Sequence, residues 1–266
     1  MGPFPGVEHM NLVFQTIAFL YGLCIGSFLN VCIHRLPESR SLIKPRSMCP
    51  QCSQPIAFYD NIPVVSFLLL RGRCRNCGTP IAWRYPLVEL LGGLAALASA
   101  AKFGPSLAAL VYFVFTAILI VVTFIDIDHR IIPDVISLPG IVLGLAASFI
   151  LPSMSFTDSL LGIALGGGSL LAVALIYRLV TKKDGMGMGD VKLLSMIGAL
   201  IGWKGVVFTI FIGSLVGSLV GLAMVFAQKR KDLKLAVPFG PFLSLGAIVY
   251  VFAGSELTFW YFHLTA

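Results

Sequence analysis

Eight apolar stretches, over roughly 11–33, 87–102, 106–125, 135–152, 159–179, 191–203, 205–227 and 237–254, follow one another along a chain of 266 residues. In lipid every backbone polar group needs an internal partner, which a helix supplies, and stretches of about 20 apolar residues match the bilayer core. The expected fold class is therefore an all-α polytopic membrane protein with about eight transmembrane helices. Composition agrees: 58% of residues are hydrophobic, 12% are charged, and the mean hydropathy is +0.93. A soluble domain of ordinary composition is far more polar.

The basic residues orient the spans. Nothing before Leu12 is Lys or Arg, so the first stretch does not read as a cleavable secretory signal and is expected to stay, with its N-terminus outside. Loop 34–86, turn 126–134 and segments 180–190 and 228–236 then face the cytoplasm. All but Lys102 and Lys204 of the nineteen basic residues fall on that side, as the positive-inside rule requires. The formal charge of +7 thus has anionic membrane lipid as its partner. Nucleic acid is not expected, because the charge forms no soluble face or stripe. The sixth stretch, 191–203, falls short of about 20 residues, yet the charge pattern requires it to cross, which calls for a thinned or protein-lined surrounding. Glycines at four-residue spacing, Gly140 with Gly144, Gly162 with Gly166, and Gly213, Gly217 and Gly221, mark faces where helices approach closely.

Loop 34–86 carries Cys49-Pro50-Gln51-Cys52 and Cys74-Arg75-Asn76-Cys77, each pair followed by the same x-x-Pro-Ile ending, at Pro55-Ile56 and Pro80-Ile81. Two residues between cysteines let both thiolates hold one ion while the intervening amides point at the sulfurs, and two such pairs complete a tetrahedral site. Redox dithiols and disulfides are the alternatives. A cytoplasmic loop disfavours disulfides, and a redox pair does not normally come doubled. Structural zinc on Cys49, Cys52, Cys74 and Cys77 is the expectation, with Arg46, Arg71, Arg73 and Arg75 near enough in sequence to offset the thiolate charge. Cys24 and Cys32 lie in the first span and read as core residues.

Two segments bring carboxylates to the same membrane face. The third span ends in Phe124-Ile125-Asp126-Ile127-Asp128-His129-Arg130, and the sixth is entered through Asp184-Gly185-Met186-Gly187-Met188-Gly189-Asp190. Acids at membrane depth are costly and mark function. Gly185, Gly187 and Gly189 free the backbone before Asp190 for left-handed dihedrals and close approach of a peptide. A lone Gly-x-Gly-Asp reads as a glycine-rich turn with an Asp cap; a second membrane-edge Asp on the same side turns the reading toward a carboxyl pair. Such a pair activates water and protonates a departing amine. Asp190 begins a helix and Asp126 ends one, which suggests Asp190 as the ionised partner and Asp126 as the acid. Asp134, after Pro133, is expected to cap the fourth span. His129 reads as an interfacial residue and Glu89 as a capping or pairing group. No HExxH and no GxSxG occurs.

At these residues the chain resembles the bacterial type IV prepilin peptidase family, aspartic membrane proteases of the GxGD class. The resemblance runs through Gly26-Ser27-Phe28-Leu29-Asn30-Val31, His34-Arg35-Leu36-Pro37, the doubled CxxC, Arg84-Tyr85-Pro86 with Glu89, Asp126 with Ile132-Pro133-Asp134, and Gly187-Met188-Gly189-Asp190-Val191-Lys192-Leu193. It implies cleavage, on the cytoplasmic face of the bacterial inner membrane, of the basic leader of type IV prepilins or type II secretion pseudopilins. Asp126 and Asp190 match the family's catalytic aspartates, with Gly187 and Gly189 in the active-site loop. It further implies N-methylation of the new N-terminal residue with S-adenosylmethionine as methyl donor; no residues of this sequence read as a donor pocket. The family often has Glu where Asp184 stands, and Asp128 lies close to Asp126 in sequence. The organisation expected is a first transmembrane helix at 1–33, a zinc-binding loop at 34–86 and a helical membrane peptidase domain at 87–266. A proton-carrying transporter would more often show corresponding broken segments in two halves, and no such repeat is seen. A noncatalytic zinc-stabilised assembly scaffold leaves the glycine approach to Asp190 without a purpose.

Overall fold

In the computed structural model, residues 5–44, 46–152, 154–182, 187–227 and 238–264 are described. The helices, in chain order, are α1 (Pro5–Arg35), a 3₁₀ turn at Phe58–Asn61, α2 (Val65–Leu69), α3 (Arg84–Phe103), α4 (Leu107–His129), α5 (Asp134–Ala147), α6 (Phe156–Thr181), α7 (Met188–Ala227) and α8 (Gly240–Leu264). Among the described residues, each expected apolar stretch overlaps a helix. Five helical spans, Asn11–Arg35, Arg84–Phe103, Leu107–His129, Phe156–Thr181 and Met188–Phe226, are long and apolar enough to cross a membrane, and α5 and Gly240–Gly254 are shorter apolar helices. The chain is a multi-pass membrane protein.

The sixth and seventh stretches, expected as separate helices, form the two rods of α7, which meet at a non-helical Gly202. At 1.5 Å per residue the 40 residues of α7 would extend about 60 Å, twice the thickness of a bilayer core. Gly202 divides it, with φ 72° and ψ 177°, a conformation that only glycine adopts without strain. The short first rod is what the sixth stretch requires. Val191 and residues 193–202 are buried, with only Lys192 partly exposed. Close approach makes this possible: a Cβ built on Gly144 would lie 2.8 Å from that of Ala199, and one on Gly162 would strike the backbone of Gly198 and Gly202. The Ser159 hydroxyl donates to the Ala199 carbonyl at 2.6 Å. Protein, supplied by α5 and α6, surrounds the rod where lipid would find it too short. Of the third glycine set, Gly213 and Gly217 receive Phe242 of α8, but no described residue lies within 4 Å of a Cβ on Gly221.

The chain divides by compactness into Met1–Val121 and Val122–Ala266. In the first unit α1 and α3 cross where Gly22 and Gly26 meet Gly92, Gly93 and the Glu89 backbone. The Asn30 side chain donates to the Tyr85 carbonyl at 3.1 Å, tying the end of α1 to the start of α3. Cys32 is buried as expected, whereas Cys24 is exposed on α1, because the helix turns its face away from α3 there.

Candidate functional site

The two cysteine pairs fold as the repeat in their sequence implies, with one geometry displaced by 25 positions. Cys49 N–H donates to the Gln54 carbonyl at 3.0 Å and Cys74 N–H to that of Thr79 at 2.8 Å. Ser53 and Gly78, directly after each second cysteine, both have positive φ, 55° and 71°. Antiparallel bridges join Met48 to Pro55 and Arg73 to Pro80. The four Sγ atoms lie within 4.8 Å of one another, and those of Cys49 and Cys77 are 3.8 Å apart. Sulfurs at about 2.3 Å from a tetrahedral zinc stand about 3.8 Å apart, so this donor set fits zinc. In the first pair the amides within the knuckle point inward as expected, whereas the amide on Cys77 comes from Thr79. Cys52 and Gln51 amides hold the Cys49 thiol below its ordinary range, and the Thr79 hydroxyl and amide hold Cys77 down to about 6, whereas, against the Gln54 amide, burial and the neighbouring thiols push Cys52 up to about 11. Arg75 does not face the sulfurs: it forms a bidentate pair with Asp60 at 2.7 and 2.6 Å and lies over the Tyr59 ring. A planar guanidinium matches a carboxylate better than it matches a thiolate cluster.

In the second unit, Asp126 sits three residues before the end of α4 and is 5% exposed. Its Oδ2 accepts the N–H of Gly240, the first residue of α8, at 3.0 Å. Asp128, two residues on, is exposed, as a separation of two on a helix requires, and so is His129. Asp190 lies in the first turn of α7, partly buried, and its carboxylate interacts electrostatically with that of Asp126. Ile132 joins the two surroundings. A Cβ on Gly189 would stand 3.0 Å from the Ile132 Cβ, and one on Gly240 would stand 3.4 Å from its Cδ1 and 2.7 Å from Asp126 Oδ2.

Three expectations are corrected here. Gly187 and Gly189 do not take positive φ; what Gly189 provides is room for Ile132, whereas a Cβ on Gly187 would make only ordinary contacts at 3.8 and 3.9 Å. Gly185, with Asp184, lies outside the described residues. Asp134 makes no side-chain cap on α5; both its oxygens accept from Lys192 Nζ at 2.7 Å, fastening the start of α5 to the start of α7. Asp126 also faces a helix N-terminus, that of α8, so helix ends do not separate the two carboxyls into acid and base. Gly240 is not among the residues singled out in the sequence, and Ile132 appears there only within the family motif, without its packing role. Gly240 follows Pro238-Phe239 and precedes Pro241, and that turn chemistry is a signal for a helix start, but not for a carboxylate partner 114 residues away.

Comparison with known proteins bears on these residues. Residues 20–103 match the model of the bacterial peptidase A24 N-terminal domain, and residues 113–222 match that of the type IV leader peptidase family. A prepilin leader peptidase/N-methyltransferase of Aeromonas hydrophila is 37% identical over 273 residues, covering 94% of each chain. The chain belongs to the type IV leader peptidase family. Among its other relatives, a prepilin leader peptidase/N-methyltransferase of Pseudomonas aeruginosa is 38% identical over 93% of each chain, and one of Myxococcus xanthus is 40% identical over 84% of this chain and 66% of its own. No solved structure matches the chain. Both carboxylates and the Gly189 approach fall within the segment that matches the leader peptidase model.

Proposed function

We propose that this chain is a prepilin aspartic endopeptidase that also N-methylates its product, with Asp126 and Asp190 as the catalytic pair. The observation that carries the peptidase reading is a buried carboxylate on α4 and a second at the start of α7 joined through Ile132, which packs on Gly189 beside Asp190 and near Gly240, the donor to Asp126. In the mechanism the pair shares one proton. One carboxylate takes a proton from water as the oxygen attacks the scissile carbonyl, and the other protonates the departing amine; a coupled pair has no unique microscopic assignment. The Gly240 N–H fixes the Asp126 oxygen that it binds, leaving the other oxygen for water or substrate. Gly189 lets Ile132 pack directly beside Asp190, holding the start of α7 against the segment that follows Asp126.

The substrates are type IV prepilins or type II secretion pseudopilins, cut on the cytoplasmic face of the inner membrane, where the basic residues gather. Cys49, Cys52, Cys74 and Cys77 hold a structural zinc, which closes the 34–86 segment into one fold. The first helix at 1–33, this loop and the membrane peptidase domain at 87–266 form the functional division. S-adenosylmethionine is the methyl donor. Purified protein incubated with a prepilin and S-adenosylmethionine tests the reading: new N-termini carrying one methyl group are expected. Neither a transporter nor a scaffold yields a cleaved product, and a cleaved but unmethylated product would contradict the methylation proposal alone.

A further inference from the structure

Between its cysteine pairs the 34–86 segment folds back against α3. Glu89 lies about 7.5 Å along α3 from Arg84, at 1.5 Å per residue, and accepts the N–H of Val64 at 2.7 Å. Val64 is the N-cap of α2. The start of α2 thus stands beside the second turn of a helix long and apolar enough to cross a bilayer, rather than beyond its end. Val64 reaches this contact with φ 60° and ψ −48°, a conformation that β-branched residues avoid. Further along α2, Phe67 meets Trp83, the residue before α3, with ring centroids 4.9 Å apart.

At that depth α2 exposes apolar surface: Leu68 is 64% exposed, Leu69 78% and Trp83 75%. Arg71 and Arg73 follow directly. Both are exposed, and neither has a side-chain ion pair among the described residues, in contrast to Arg75. Phe67, Leu68, Arg71, Arg73, Ile81 and Trp83 line an open recess of about 440 Å³. Apolar residues and a tryptophan beside two unpaired arginines, at the mouth of a spanning helix, are the composition of a surface that lies in the headgroup region.

We propose that α2 and Trp83 form an interfacial element immersed in the leaflet on the loop's side, with Leu68 and Leu69 among acyl chains and Arg71 and Arg73 on the phosphates of anionic phospholipid. The placement follows from α3 spanning the membrane and does not depend on the peptidase chemistry. A soluble anion would need only the arginines. The exposed leucines at the same depth select lipid, because their surface leaves water only there.

The test uses the full chain in phosphatidylcholine vesicles, with Trp83, Trp203 and Trp260 changed to Phe and Leu69→Trp as the single reporter; retained zinc verifies the fold. Lipids brominated near the headgroup should quench this reporter, and added phosphatidylglycerol should deepen the quenching about two-fold. R71Q/R73Q in the same background should remove the phosphatidylglycerol increment. A reporter insensitive to brominated lipid but open to aqueous iodide would overturn the proposal. So would an increment that survives R71Q/R73Q, or one that inorganic phosphate or S-adenosylmethionine reproduces in phosphatidylcholine alone.

Discussion

Gly240→Ala is a one-atom test of the Asp126 setting. The added Cβ would stand 2.7 Å from Asp126 Oδ2 and 3.3 Å from its Cγ, whereas nonbonded carbon contacts settle at about 3.5 Å or beyond. Either the carboxylate or the start of α8 must yield by about 0.5–1 Å. The Gly240 N–H that binds Asp126 at 3.0 Å lies in the same displaced segment, and a hydrogen bond to a charged group is worth about 1.5–3 kcal/mol. Misplacing a reacting group by about 1 Å costs up to about 100-fold in rate. Cleavage of prepilin by purified Gly240→Ala should therefore fall about 10- to 100-fold in kcat, with zinc content unchanged. Gly221→Ala, where no described residue lies within 4 Å, is the matched control and should cleave at the parent rate. A Gly240→Ala protein within about two-fold of the parent, well short of the predicted loss, would refute the argument that this contact sets the carboxylate.

Elemental analysis should find one zinc per chain; Cys49→Ser with Cys74→Ser should abolish it, while Cys24→Ser and Cys32→Ser should retain it. Acidification toward about pH 5 should release the metal, since the ligands must be thiolates and protonation competes with zinc. Lys192→Gln should lower thermal stability by no more than about 1 kcal/mol, because its partner Asp134 is exposed and such pairs contribute little; a larger loss would show that the α5–α7 clamp does more than tie two helix starts. A cysteine probe near Gln51 should resist an impermeant reagent in intact cells, and rapid labelling would overturn the proposed topology.

Much of the fold was legible because apolar length and charge act along the chain. The eight stretches and the repeat of the cysteine knuckle are local signals, and each reappears as a local structure. What escaped was contact between distant segments. The Gly22–Gly92 crossing, the Gly240 donor to Asp126 and the Ile132 wedge depend on which helices become neighbours, and periodicity does not say. The break at Gly202 falls beside the expected boundary between the sixth and seventh stretches, but its geometry was not legible: a single glycine in an apolar run reads as packing until its φ of 72° is seen. Asp134 was misread because its position after Pro133 fits a cap equally well, and Lys192 lies 58 residues away.

The central claim is that Asp126 and Asp190 perform the cleavage, and single Asn substitutions test it most directly. Asp126→Asn and Asp190→Asn, purified and assayed on prepilin by mass spectrometry of the new N-terminus, should each leave almost no product while retaining zinc and membrane insertion. Asp128→Asn, on the exposed side of α4, should cleave near the parent rate. If either of the first two cleaved at close to the parent rate with normal zinc, or if Asp128→Asn alone were inactive, the carboxylate pair would be assigned wrongly.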